Sequence, residues 1–224
     1  MSRPAVFIDR DGTLIEERHY PVVREDIVPL RGAAAALARL SSAGFLCVVL
    51  TNQSAVARGM IDEESLGELH DDLLMRLRDE GGGWDALYYC PHHPDGTSVG
   101  YGMPCTCRKP GHGLLEMALH EHDIDLARSV FVGDRTRDLY IDAGRALGRV
   151  LVQSGDETYA RAPEGVDVVV PSVVEAVDWI LERLPEELAA PDAESATPDT
   201  HSGTEAETGP ADAAPDPADD DAAT

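Results

Sequence analysis

The 224-residue chain has a single lysine, Lys109, among eighteen basic residues set against forty-two acids, for a net charge of −24. So acidic a balance argues against binding to nucleic-acid phosphates or to an anionic membrane surface. There is no run of roughly 18 apolar residues, the length a membrane-spanning helix needs. The opening MSRPAVFIDRDG also lacks the apolar core of a signal peptide, so a soluble, cytoplasmic protein is expected. From Pro185 to Thr224, Lys and Arg are absent and large apolar residues nearly so. Such a segment cannot bury enough surface to offset its ordering entropy, so residues 185–224 are expected to be an acidic disordered tail on a domain of residues 1–184. The tail's twelve acids carry half of the net charge and leave −12 on the domain, thirty acids against eighteen bases. It either docks on a basic partner or acts as a solvated solubility segment.

What is present is a regular alternation. AVFI, FLCVVL, WDALYY, SVFV, RVLVQ and DVVV read as strands. Between them, AAAALARLSSAG, the series Leu66, Leu69, Leu73, Leu74 and Leu77, GLLEMALHEH, RDLYIDAGRAL and SVVEAVDWILERL have helical periodicity. The pattern predicts an α/β fold, a doubly wound, mostly parallel, Rossmann-like sheet covered on both faces. In such sheets ligands bind beyond the carboxyl ends of the strands. The polar groups there are Asp9 and Asp11 after the first strand, Thr51, Asn52, Gln53 and Ser54 after the second, and Gly133 and Asp134 after the fourth.

Asp9, Asp11 and Asp134, with Asp138 one helical turn further, would repel one another in a single cleft. A hard divalent cation resolves the conflict, and a few carboxylates plus substrate phosphate oxygens are what Mg²⁺ prefers. Thr51, Asn52, Ser54, Arg108, Lys109 and the amides of the DGT turn are donors suited to a phosphoryl group. An ionised Asp can attack phosphorus and form an aspartyl-phosphate, and a second Asp can exchange protons with the leaving alkoxide and the incoming water. For any one of these aspartates the alternative is an N-cap or a solvated turn.

The DRDGT stretch after the first strand, Thr51 of LTNQS, Lys109 of RKP and GDRTRD after the fourth strand resemble the four motifs of the haloacid dehalogenase superfamily of phosphatases, over roughly residues 4–152. The resemblance implies Asp9 as nucleophile and Asp11 as acid and base. It implies that Thr51 and Lys109 hold the phosphoryl group, and that Mg²⁺ binds to Asp9, Asp134 and the backbone carbonyl of Asp11. A flexible ammonium at Lys109 suits a site that must touch both nucleophile and phosphate, where an arginine would impose a planar fork.

Three of four cysteines lie close together: Cys90 and His92, then Cys105 and Cys107, offer three thiolates and an imidazole, a closed tetrahedral Zn²⁺ set of structural type. His93 is the rival ligand to His92. A disulfide is the other reading, but Cys105 and Cys107 are poorly placed to pair and a cytoplasmic enzyme keeps thiols reduced. Cys47, inside FLCVVL, reads as a buried small hydrophobe, and His70 and His120 as surface or packing residues. The stretch YYCPHHP to CTCRKP is similar to the zinc-bearing branch that holds the heptose bisphosphate and histidinol-phosphate phosphatases. In that branch a zinc loop, here 90–108, replaces a large cap and presents the Arg-Lys pair to substrate.

TNQSAVARG and the double His of CPHHP resemble the heptose members of that branch, which implies a heptose bisphosphate as substrate. Arg135 stands where the heptose enzymes usually have Lys, nearer the histidinol-phosphate pattern, and EERHYPV lacks the glycine of their substrate loop. Arg108, Lys109 and Arg135, with Arg18 and Arg58, would form the positive funnel for a small phosphorylated metabolite. A monomer with neither nucleic-acid nor membrane partner is expected. A non-catalytic module binding phosphorylated ligands or partner proteins is the alternative of another class.

Overall fold

The computed structural model describes residues 2–141, 146 and 148–183. The acidic tail expected over 185–224, and with it the boundary after residue 184, lies outside the described residues. Six strands form one sheet: β1 (Ala5–Ile8), β2 (Leu46–Asn52), β3 (Ala86–Cys90), β4 (Val130–Gly133), β5 (Gly148–Val152) and β6 (Val168–Val170). Their order is β3-β2-β1-β4-β5-β6, and every pairing is parallel, so the mostly parallel sheet expected is wholly parallel here. Helices α1 (Ala33–Ser42), α2 (Glu63–Asp79), α3 (Gly113–Glu121), α4 (Thr136–Leu139) and α5 (Val173–Glu182) connect and cover it.

Burial on both faces explains the apolar character of the strands. Val6 and Ile8 of β1 point into one core with Leu37 of α1, Leu73 of α2 and Val177 of α5. Ala5 and Phe7 point the other way, against Leu114 and Leu115 of α3, and Phe7 stacks on Phe131 with ring centroids 4.7 Å apart. The two-residue alternation of a strand thus feeds two layers at once. The helix expected over 137–147 is short: α4 ends at Leu139, Tyr140 and Ile141 leave it, and residues 142–145 and 147 lie outside the described residues.

The crossover geometry positions the site. β1 is flanked by β2 and β4, so the chain leaves β1 at the point where connections diverge to either side of the sheet, the usual ligand crevice of such folds. Between the DGT turn and β2 the chain forms only a short 3-10 turn and α1, which leaves no room for an inserted cap domain. The loop between β3 and α3 instead overlooks the crevice. No helix among the described residues is long and apolar enough to cross a membrane.

Candidate active site

The chain passes from the buried β1 directly into Asp9, whose amide still bonds the Val132 carbonyl at 3.0 Å and so extends the ladder to β4. It then turns at Gly12, with φ of +75°, a conformation that glycine adopts without steric cost. A side chain there would also collide with Asp134, since a Cβ would lie 2.7 Å from its Oδ2. The DGT turn and the end of β4 therefore pack closely enough to bring Asp9 and Asp134 together. Asp138, in the first turn of α4, completes a triad whose carboxylate oxygens lie within 4.8 Å of one another.

Lys109 enters this triad from the far end of the cysteine loop. It is 3 % exposed, and its Nζ donates to Asp9 Oδ1 at 2.7 Å and to the Leu50 carbonyl at 2.6 Å, and pairs with Asp138 Oδ1 at 2.8 Å. All three ammonium hydrogens are accounted for. Burial works against its charge, yet Asp138 and Asp9 outweigh burial and hold its pKa above the ordinary lysine value. Asp138 is itself fixed, its Oδ2 accepting from the Arg135 amide at 3.1 Å.

One cation does not neutralise three buried carboxylates. Burial pushes the Asp9 carboxyl up to about 7 against the pull of Lys109, with Asp138 and Asp11 adding to the rise. Asp134 is pushed to about 8, by burial first and then by Asp9 and Asp138. It is 1 % exposed, and its Oδ2 has no hydrogen-bond partner, the nearest cationic group being Arg135 Nε at 3.5 Å. An unpartnered buried carboxylate oxygen beside a second carboxylate fits a hard divalent cation with oxygen ligands, which would let all three groups ionise.

The residues at and beyond the end of β2 divide by role. Thr51 and Ser54 are buried at the crevice. Asn52, expected among the phosphate donors, lines the crevice but has its amide engaged with Lys109. Its Oδ1 accepts from the Lys109 amide at 3.0 Å and its Nδ2 donates to the Lys109 carbonyl at 3.2 Å. Gln53 likewise bonds protein groups, donating to Asp11 Oδ2 at 2.7 Å and to Thr51 Oγ1 at 2.8 Å. Arg135 faces Glu17 at 3.5 Å and Glu157 at 3.8 Å, so part of its charge is already balanced. Arg108 lines the same cleft as Arg137, and burial first and then Arg137 lower its pKa from the ordinary arginine value. Arg18 pairs with Glu16 at 2.7 Å, and Arg58 lies over the ring of Tyr20.

The cysteine loop brings Cys90, His92, Cys105 and Cys107 together. The three sulfurs are 3.1, 3.4 and 3.5 Å apart, and His92 Nδ1 lies 3.4 Å from the Cys107 sulfur. No disulfide forms; a disulfide bond would need about 2.05 Å between sulfurs. Three soft thiols and an imidazole converging on one point suit tetrahedral Zn²⁺. His93 sits apart, accepting from the Asp95 amide at 3.1 Å and lining the crevice.

Arg10 and Arg137 escaped the sequence reading; Arg137 and His93, the latter weighed only as a zinc ligand, line the crevice. His70 was open to detection, because a histidine in the buried stripe of Leu66, Leu73 and Leu77 requires an internal polar partner. That partner is Arg10.

A parallel sheet with aspartates at the ends of β1 and β4 and a buried lysine between them defines a phosphatase of the haloacid dehalogenase type. A family model described as HAD-hydrolase-like matches residues 106–176. Over 184 residues the chain is 37 % identical to a D-glycero-beta-D-manno-heptose-1,7-bisphosphate 7-phosphatase of Yersinia pestis, covering 82 % of this chain and 92 % of that one. An enzyme of the same name from Photorhabdus laumondii is 36 % identical over 173 residues, covering 77 % and 92 %. Among solved structures, the D,D-heptose 1,7-bisphosphate phosphatase of B. bronchiseptica, complexed with magnesium and phosphate, matches with a TM-score of 0.69 and 33 % identity, covering 81 % of this chain and 99 % of that one. The chain belongs to this family of haloacid dehalogenase-like phosphatases.

Proposed function

We propose that this protein is a Mg²⁺-dependent phosphomonoesterase that removes the 7-phosphate of D-glycero-D-manno-heptose 1,7-bisphosphate through a phosphoenzyme. The observation that carries this reading is the buried set of Asp9, Lys109, Asp138 and Asp134, whose Oδ2 lacks a hydrogen-bond partner, around the ends of β1 and β4. Binding alone would not require a carboxylate aimed into a phosphate crevice, which disfavours a non-catalytic module. The names of the relatives favour the heptose substrate over histidinol phosphate.

Asp9 attacks phosphorus with one carboxylate oxygen. The bond between phosphorus and the sugar oxygen breaks, and Asp11 gives its proton to the departing alkoxide. Asp11, now ionised, takes a proton from water as the water oxygen attacks the phosphoryl group on Asp9, which releases inorganic phosphate and restores the carboxylate. Lys109 holds Asp9, and Thr51, Ser54, Arg108 and Arg135 surround the phosphoryl group and its sugar, with Asn52 and Gln53 bracing Lys109 and Asp11. Asp9, Asp134 and the backbone carbonyl of Asp11 would hold Mg²⁺, which when bound supplies positive charge to the transferring phosphoryl oxygens.

The substrate assignment is tested by comparing two purified compounds. Heptose 1,7-bisphosphate is expected to be turned over with a kcat/KM at least about tenfold above that of histidinol phosphate, because the second phosphate can use Arg108 while the amine of histidinol cannot. Arg108→Ala should cut kcat/KM by roughly tenfold for the bisphosphate and by less than about threefold for histidinol phosphate. Equal or better turnover of histidinol phosphate would transfer the assignment to that ester.

Cys90, His92, Cys105 and Cys107 are proposed to hold a structural Zn²⁺. Metal analysis of the purified protein should find about one zinc per chain that excess Mg²⁺ does not displace. Cys107→Ser should lower that content and reduce activity by roughly tenfold, because Lys109 follows the last ligand by two residues and would lose its fixed path into the triad. Unchanged zinc content in Cys107→Ser would remove Cys107 from the ligand set.

A further inference from the structure

Arg10 stands between Asp9 and Asp11 in the chain and is fully buried, with 0 % exposure. Its Nη2 carries two hydrogens, one for Gln53 Oε1 at 2.9 Å and one shared between Asp11 Oδ1 at 2.8 Å and Oδ2 at 3.0 Å. Gln53 in turn donates to Asp11 Oδ2 at 2.7 Å. A carboxylate offers about four acceptor positions, two on each oxygen. On Asp11, Oδ2 accepts from Gln53 and both oxygens share one Arg10 hydrogen, so the outer side of Oδ1 is left for a mobile proton.

The guanidinium that imposes this is held from behind. Its Nη1 lies 2.9 Å from Nε2 of His70, and its Nε has no hydrogen-bond partner. Among the described residues, His70 therefore anchors the far edge of the fork. Arginine can only donate, so Nε2 must present a lone pair, with the imidazole neutral and its proton on Nδ1. Burial, then the charge of Arg10, lowers the His70 pKa to about 3 and so keeps this form. His70 is 6 % exposed in the apolar stripe of α2, with its ring 5.6 Å from that of Tyr89.

We propose that Arg10 and His70 are positioning residues for the proton transfers of Asp11, the guanidinium occupying acceptor positions of the carboxylate and His70 fixing the guanidinium, so that one direction is left for the proton. This rests on Asp11 acting as acid and base in the reaction proposed above. A helix none of whose residues lines the crevice thus aims the proton carrier. Lysine at position 10 would keep the charge but could not reach both Asp11 oxygens, Gln53 and His70 at once.

Leaving-group dependence separates aiming from general damage. An alkoxide needs a proton to depart, whereas p-nitrophenolate leaves without one. His70→Leu is expected to lower kcat/KM about tenfold for heptose 1,7-bisphosphate and less than about twofold for p-nitrophenyl phosphate, and His70→Gln, which restores an acceptor, should recover most of the loss. Should His70→Leu not fold, Arg10→Lys provides the same comparison. Equal losses on both substrates, or no loss on either, overturn the proposal. Asp11→Asn run in parallel should show the same selectivity with a larger loss. If Asp11→Asn keeps full activity on the bisphosphate, the role of Asp11 itself fails, an outcome distinct from failure of the Arg10 and His70 link.

Discussion

Asp9→Asn is expected to lower kcat by at least about 10³-fold while the protein stays folded. The amide keeps the size of the side chain and can still accept from Lys109 Nζ, which also retains Asp138 and the Leu50 carbonyl. What disappears is the anionic oxygen proposed to attack phosphorus. A factor of 10³ corresponds to about 4 kcal/mol of barrier. Two measurements check the claim. Acid quench of the wild type during turnover should trap phosphate on one aspartate, found by peptide mass spectrometry at Asp9, and the variant should trap none. Thermal unfolding of the variant should stay within a few degrees of the wild type. Turnover within tenfold of the wild type would remove Asp9 as nucleophile.

Lys109→Met should affect both stability and activity. Methionine approximates the length and apolar stem of lysine but supplies no donor, so Asp9 and Asp138 would face each other without their shared cation and the Leu50 carbonyl would lose its partner. Removing one member of a buried ion pair costs about 3–5 kcal/mol, because the remaining charge is left in a poor solvent. For a domain of this size that amounts to a fall in Tm of roughly 6–20 °C, measurable by calorimetry. Activity should drop at least about 100-fold even at saturating Mg²⁺, since Asp9 would no longer be held for attack. Lys109→Arg should lose nearly as much activity, because a guanidinium nitrogen carries at most two hydrogens, against the three that the ammonium gives to Asp9, Asp138 and Leu50. A Lys109→Met protein with wild-type Tm and turnover would show that the contacts of Lys109 are incidental.

Both predictions depend on contacts that the sequence signals only in part. Asp9, Asp11 and Asp134 could be located because each lies within three residues of the end of an apolar run, and the end of a strand in a parallel sheet is a fixed place in space. The cysteine cluster could be read because its residues lie within one loop and their side chains are chemically uncommon. The partner of His70 could not be read. The histidine's position in the stripe of α2 requires burial, but which polar group it meets depends on how α2 lies against the turn after β1. The contacts of Asn52 were hidden for the same reason: as an amide at a strand end it suits a phosphate, and the neighbouring loop also brings the Lys109 backbone within reach of both its groups.

The chain's own pattern therefore determined the alternation of elements, the two-sided burial of the strands and the list of groups at their ends, since period and position along a strand are local properties of the sequence. It also determined the chemical character of the site, because three aspartates and a lone lysine at such positions admit few uses. Only the tertiary structure decided which of those groups are free and which are already bound. Lys109 reaches Asp9 across one hundred residues, and Arg10 reaches His70 across sixty. A buried charge takes the nearest partner that packing offers, and that distance is set by how helices and loops close over the sheet.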